Sequence, residues 1–346
     1  MKYIFPFLLM VCSLAAQEKV SWDTTRYQKF KSNLIIGVFQ SYYDFNNEIN
    51  QKSVPDPDGF SHHHYKAESN LITGVALTYD KFSLSLGLQS KPQDGSAGKG
   101  VSTTFAANFN IGANRWFIEN SIRYFKGFYD DNTPNLDTSF KKTGVYHFEP
   151  GFSNTLVRSK FMYFTNHRRY SFRANSSCNY RQRRSAATWI LSANTNYNFI
   201  HNDSSLFRGS DLSYYGDYSQ LMGLSSFGLS LNAGAAVTFV IWRSVFISSM
   251  FIIGPEQQWR KYLYPDRTTN LSYLSVSSDF RIAFGMNLKR FYFISYACRD
   301  VVFYNSSFLQ LTNRSISGGL IMGWRFNSHV PGFYKKFQTT KLYLAL

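Results

Sequence analysis

In this 346-residue chain 37 Lys and Arg stand against 21 Asp and Glu, a net charge of +16, so the side chains with most chemical potential are basic. Stepping by two through the stretches where polar and apolar residues alternate puts Lys81, Arg123, Arg158, Lys160, Arg169, Arg173, Arg181, Arg183 and Arg281 on the polar side. Only Glu119 and Asp279 share that side with them. A wall of guanidinium and ammonium groups would concentrate anions. The plainer reading makes Arg123 with Glu119, and Arg281 with Asp279, parts of an ion-paired filling. Glu119 and Arg123 lie four apart on one strand, so that filling needs partners from other strands. A second basic set lies outside the alternating stretches: Lys91, Lys99, Lys141, Lys142, Arg260, Lys261 and Arg267. These residues would suit phosphates of a surface glycolipid, or would simply be solvated loop charges.

Other chemistry is thin. His62, His63 and His64 are adjacent, and on a strand neighbours point to opposite sides, so a loop run fits better than a metal site. His147, His167 and His201 with Ser171, Ser204 and Asp203 supply the parts of a Ser–His nucleophile, but such a device is defined by geometry and no Gly-x-Ser-x-Gly elbow is present. The Gly95–Gly100 segment contains Gly98-Lys99 without a following Ser or Thr and reads as a flexible loop rather than a phosphate cradle. No catalytic, metal or cofactor residue is expected. The basic residues are scattered, unlike the clustered face of a nucleic-acid binder, so no nucleic-acid partner is expected either.

The elements that must position these residues are strands. Trp189, Leu191, Ala193, Thr195, Tyr197 and Phe199 alternate with Thr188, Ser192, Asn194, Asn196 and Asn198. Phe227 to Ile241 repeats the pattern, as do Phe82–Leu88, Phe105–Ile111, Trp116–Tyr124, Phe280–Met286 and Ile316–Phe326. Tyr170 to Arg181 also alternates, with Phe172, Ala174, Cys178 and Tyr180 on one side, and is expected to be a strand. Strands of globular proteins run about 5–6 residues, whereas a tilted membrane-crossing strand needs about 9–11. The aromatic share of 18% fits the girdles of a membrane barrel. Lipid tolerates no open sheet edge, so the sheet must close with its polar side chains inward. Asp80-Lys81, Ala113–Arg115, Asn166–Arg168 and Leu288–Arg290 read as short turns, and Ser90–Gly100, Gly127–Tyr146 and Pro255–Thr269 as longer loops. The spacing around 181–223 leaves either a missed strand near Leu206–Tyr215 or a large loop at the turn end. No apolar run reaches the roughly 18 residues of a helical span.

At the N-terminus Lys2, the apolar Ile4–Leu14 and the small residues around Ala15-Ala16 read as a cleaved signal peptide, residues 1–16. Val11 before Cys12 argues against a lipoprotein signal. Cys178 and Cys298 are expected on the lipid face of separate strands, as free thiols.

Arg123-Tyr124-Phe125-Lys126-Gly127-Phe128-Tyr129, then Tyr163-Phe164-Thr165-Asn166-His167-Arg168-Arg169-Tyr170-Ser171-Phe172-Arg173-Ala174, and Gln182-Arg183-Arg184-Ser185-Ala186 resemble the pattern of a Bacteroidota family known as domain of unknown function 4421, over roughly Lys29 to Phe326. Ala187 stands where Gly is expected in that family. The resemblance implies an outer-membrane barrel without an assigned role and transfers no catalytic residue. The expectation is therefore an all-β, transmembrane antiparallel β-barrel of about twelve strands, ten to fourteen being allowed. It would occupy residues 17–326, with residues 327–346 a tail or closing strand. Its partners would be lipid and glycolipid of the bacterial outer membrane. Its role would be that of a non-enzymatic envelope protein or an anion-leaning passive pore. The alternatives are a lipid-modifying barrel hydrolase or acyltransferase, and a scaffold for surface export or glycan uptake.

Overall fold

The computed structural model describes residues 25–30, 33–51, 62–68, 71–90, 98–207, 215–305, 309–341 and 343. The expected signal peptide, Lys91 and residues 95–97 of the Gly95–Gly100 segment lie outside them.

Two-residue periodicity dictates the architecture. The strands in chain order are β1 (Tyr27–Lys29), β2 (Asn33–Gln51), β3 (His62–Lys66), β4 (Leu71–Tyr79), β5 (Phe82–Gln89), β6 (Thr103–Gly112), β7 (Trp116–Asp130), β8 (Phe148–Phe164), β9 (Tyr180–Gln182), β10 (Ala186–His201), β11 (Gly223–Val240), β12 (Val245–Leu263), β13 (Thr268–Asn287), β14 (Phe291–Asn305) and β15 (Leu309–Asn327). Short helices α1 (Thr133–Leu136) and α2 (Phe140–Thr143) follow β7, α3 (Arg173–Ser176) follows β8, and α4 (Gly332–Gln338) follows β15. Twelve antiparallel strands, β2, β4 to β8 and β10 to β15, form a ring that closes when β15 pairs with β2 from Asn327↔Asn33 to Leu309↔Gln51. Closure satisfies the backbone amides that lipid would leave unpaired. β4 to β6 are short; beyond their ends β3 bridges β2 and β7, continuing the wall toward the loop end.

The apolar side of each strand faces outward. Trp189, Leu191, Leu229, Leu231, Phe251, Phe280, Ile282 and Leu320 are exposed, while Ser192, Asn194, Asn196, Ser230, Asn232 and Thr238 are buried inside. This inverts the pattern of a water-soluble domain and matches a barrel in lipid. β2, β12 and β15 have 19 residues each and β13 has 20, so the wall extends well beyond the bilayer toward the loops.

Four expectations about elements need correction. Tyr170–Arg181 is not a barrel strand: it belongs to a 165–185 connection containing α3 and β9, which folds back into the lumen and pairs with β1. Asn166–Arg168 opens this insertion instead of turning a hairpin, and the large connection at the turn end is therefore here. Leu206–Tyr215 lies partly outside the described residues. Pro255–Thr269, expected as a loop, is largely β12 and β13; Pro255 faces outward opposite Val276. The His62–His64 run is strand β3 rather than loop.

Candidate functional site

The lumen is filled in layers whose order follows from the inward residues of β7 and β8. At the turn end Phe117, Met162, Phe164, Ile190, Ala236, Met250 and Ile252 pack against Tyr170 and Phe172 of the insertion. The next inward positions are Glu119 and Lys160, and these cannot be buried alone without a large desolvation cost. Arg281 of β13 meets Glu119 through Nη1 and Nη2 at 2.7 and 2.8 Å and also donates to Asp279 at 2.8 Å. Lys160 donates to the same Asp279. One step further, Arg158 pairs with Asp300 at 2.8 Å and donates to Asn196 at 2.9 Å. β7 and β8 lie across the ring from β13 and β14, so these contacts span the lumen. Arg158, Lys160 and Arg281 are matched by Glu119, Asp279 and Asp300, and the layer is neutral.

Above this layer Asn47 Oδ1 accepts from Asn313 at 3.2 Å and Asn154 at 3.4 Å. On β12, Glu256 accepts from Asn196 and Gln258, and Arg260 donates to Gln258 at 2.9 Å. The loop end is closed by an aromatic core that includes Phe45, Tyr65, Phe125, Phe128, Phe152, Phe207 and Tyr215. Phe45 and Phe125 stack at 4.2 Å, and buried His63 bonds Asp130 at 2.8 Å through Nδ1.

The turn end is closed by the insertion, which acts as a plug. Arg173, 1% exposed, donates to the carbonyls of Gly112 and Asp80, so it ties α3 to two hairpin turns. Asn287 donates to the Ala174 and Tyr180 carbonyls at 3.0 Å, and Arg325 Nε to the Cys178 carbonyl at 2.9 Å. Asp80 joins three segments: its carboxylate meets Lys29 of β1 at 3.0 Å and, in the C-terminal tail, Tyr334 at 3.1 Å and Tyr343, while its carbonyl accepts from the plug. Its φ of +46° is a left-handed turn conformation that Asp tolerates. Burial raises the Asp80 pKa, but Lys29 and the bonds from Tyr343 and Tyr334 outweigh it and hold the carboxyl below its ordinary value. Burial pushes the neighbouring Lys81 down to about 8, although its ammonium donates to the Tyr343 carbonyl at 2.6 Å.

The expected lumen set thus divides. Glu119, Arg158, Lys160, Asp279 and Arg281 come together at mid-height. Arg123 faces inward nearby, bonding Asn108 at 3.0 Å and lying over the Tyr43 ring. Arg173 is buried in the plug. Lys81 sits at the turn end under the tail. Arg169 and Arg183 are exposed at that end, and Arg181 ties β9 to the Arg243 carbonyl at 3.0 Å. Arg260, expected on a loop, is 2% exposed and points inward. Cys178 is in the plug and Cys298 pairs across from inward-facing Arg281, so neither is on the lipid face; both are free thiols.

Asp300 and Glu256 escaped the parity reading, Asp300 because both sides of β14 are half apolar. Phe291, Phe293 and Ala297 compete with Tyr292, Ile294 and Tyr296, and only the outward Arg299 suggests the choice of face. Ser171 and His167 share the insertion, but Ser171 Oγ donates to Asn114 and His167 Nδ1 lies 3.2 Å from the Phe164 carbonyl; His147 bonds Glu149, and His201 Nε2 lies 3.8 Å from Asp203. Ser204 bonds Asn202 and the Ser205 carbonyl. Among the described residues no group of three or more His, Cys, Asp or Glu side chains could hold a metal ion.

A closed twelve-stranded ring with an apolar outer belt and a polar, ion-paired interior defines a membrane-spanning β-barrel of the outer-membrane type. The chain belongs to the family described as Domain of unknown function (DUF4421), whose pattern matches residues 21–326. No curated protein matches it. Among solved structures it is similar to the outer-membrane protease OmpT of Escherichia coli, with 7% identity, a TM-score of 0.39, and 86% of this chain and 98% of that one covered. It is similar also to the translocator domain of the autotransporter NalP of Neisseria meningitidis, with 9% identity, a TM-score of 0.38, and coverage of 88% and 90%. The toluene transporter TodX of Pseudomonas putida shows 8% identity, a TM-score of 0.28, and coverage of 86% and 91%.

Proposed function

We propose that this chain is a non-enzymatic envelope protein of the bacterial outer membrane, exported by a cleaved signal peptide, whose barrel is shut to passive flux. The observation that carries this reading is the neutral ionic layer spanning the lumen, Glu119–Arg281–Asp279–Lys160 beside Arg158–Asp300. An anion-leaning pore needs unmatched cations around an aqueous path, as in charged-ring channels. Here each of the three central cations faces an acid, the plug lies below and the aromatic core above. Twelve strands are intermediate between barrels filled by side chains and those holding a channel, so the contents decide. Ser171 and Ser204 bond Asn side chains and a carbonyl and not an imidazole, which favours a non-catalytic role.

Planar-bilayer recording tests this directly. The wild-type protein is expected to insert without stable conductance steps, and Arg173→Glu, which sets a carboxylate against the Gly112 and Asp80 carbonyls, to produce them. Ohmic, anion-selective steps from the wild type would remove the closed-barrel reading. Changed acyl chains in membranes treated with purified protein, abolished by His167→Ala, would replace it with the enzymatic one.

A further inference from the structure

The outward side of the β4–β5 hairpin is covered where the chain turns. By parity Tyr79 and Phe82 continue the lipid-facing series of Val75, Leu77, Leu84 and Leu86, yet both are only partly exposed, because α4 lies on them. Tyr334 packs edge-on to Tyr79 with ring centroids 5.0 Å apart, and Phe337 lies 6.1 Å from Phe82. The Tyr334 hydroxyl reaches Asp80 at 3.1 Å, and beyond the helix the Lys81 ammonium lies 3.9 Å from the Tyr343 ring. The helix is therefore docked on the outer wall of the barrel. The next outward pair on the hairpin, Leu77 with Leu84, is exposed, so α4 borders the hydrocarbon-facing belt.

The helix is amphipathic in the sense that this position requires. At 3.6 residues per turn Tyr334, Phe337 and Phe333 share one arc, and Lys335 and Lys336 lie on the other side. Tyr334 and Phe337 spend that arc on the barrel. Phe333, at its edge, is 76% exposed. Lys335, Lys336 and Lys341 are exposed as well, and Val301–Leu346 contains no Asp or Glu that could offset them locally. An exposed aromatic ring flanked by ammonium groups at the rim of an apolar belt is the make-up of a segment lying in the headgroup layer.

We propose that α4 is an interfacial anchor: Phe333 enters the leaflet at the turn end of the barrel, and Lys335, Lys336 and Lys341 bind the phosphates of its anionic phospholipids. The inference rests on the membrane-spanning fold and not on the closed lumen, so a conducting barrel would leave it standing.

Depth-sensitive fluorescence tests it. The exported barrel carrying Cys178→Ser and Cys298→Ser receives a single NBD label through Phe333→Cys, Thr339→Cys or Leu231→Cys, each checked for a folded barrel by heat-modifiable gel migration. The variants are reconstituted in phosphatidylethanolamine–phosphatidylglycerol vesicles containing lipid with spin-labelled acyl chains. The probes at 231 and 333 are expected to be quenched about twofold or more beyond the probe at 339, which is exposed on the Lys335 side. Lys335→Gln/Lys336→Gln/Lys341→Gln, or exchange of phosphatidylglycerol for phosphatidylcholine, should remove about half or more of the quenching at 333. With the 231 probe quenched, equal quenching at 333 and 339, or indifference of the 333 probe to the triple variant, overturns the proposal alone. Absence of quenching at 231 as well removes the membrane-spanning fold and the proposal with it. Disulfide-linked dimers of unlabelled Phe333→Cys at high lipid dilution assign this face to a second copy of the chain and also overturn it.

Discussion

Arg281 serves two acids, Glu119 and Asp279, and Lys160 shares the second, so the central layer is a network in which no charge is dispensable singly. Removing one partner of a buried pair leaves the other desolvated, at a cost of about 3–5 kcal/mol, whereas removing both is far milder. Arg281→Met is therefore expected to lower unfolding stability in detergent by about that amount, and Glu119→Gln/Arg281→Met, with Lys160–Asp279 intact, to recover most of it. Urea titration followed by gel migration reads both. Asp80 makes a prediction of different sign. Its folded pKa lies below the ordinary 3.8, so its contribution is present above that value and lost as pH falls through the folded one. Acidification should loosen β1, the plug and the tail together, and Asp80→Asn should be loose already and flat with pH in that window. Cys178 labelling by a pyridyl disulfide reagent, which reacts in acid, is the measurement.

At the scale of elements the plug is the segment least legible in sequence. Tyr170–Arg181 alternates as a strand does, but for another reason: Phe172 packs against Phe117 and Phe164, while Arg173, Asn175 and Asn179 reach for turn carbonyls and lumen hydroxyls. Two-sided surroundings impose alternation without a ladder, and α3, one turn long, is too short to display a period of 3.6. By contrast β10 and β11 are legible residue by residue, because lipid outside and polar lumen inside act on every position. The cross-lumen partners were only half legible: parity names the face a residue points to, and which strand lies opposite is set by closure. Arg173 should hold the plug through its buried carbonyl contacts, hydrogen bonds from a charged group being worth about 1.5–3 kcal/mol each. In a Cys298→Ser background, Arg173→Ala is expected to speed modification of Cys178, whose thiol burial pushes up to about 12, by at least tenfold. Unchanged protection would mean that packing alone retains the plug.

At the scale of the whole molecule, the outward belt determines where the barrel sits. On β11 the lipid-facing series runs from Phe227, stacked on Trp259 at 5.9 Å, to Phe239, with Trp189 on β10 and Trp242 near the lower edge. Leu231, 71% exposed, lies between these aromatic levels, whereas Ser272 stands level with Trp259. A water-soluble barrel would accept a cation at either place. In a bilayer Arg near the midplane costs about 2–4 kcal/mol and near the interface about 0–1. Leu231→Arg is therefore expected to lose about 2–4 kcal/mol of stability in phospholipid vesicles, and Ser272→Arg less than about 1. Reversible unfolding from vesicles, followed by tryptophan fluorescence, separates the two. Equal losses would mean that the exposed apolar series does not face hydrocarbon.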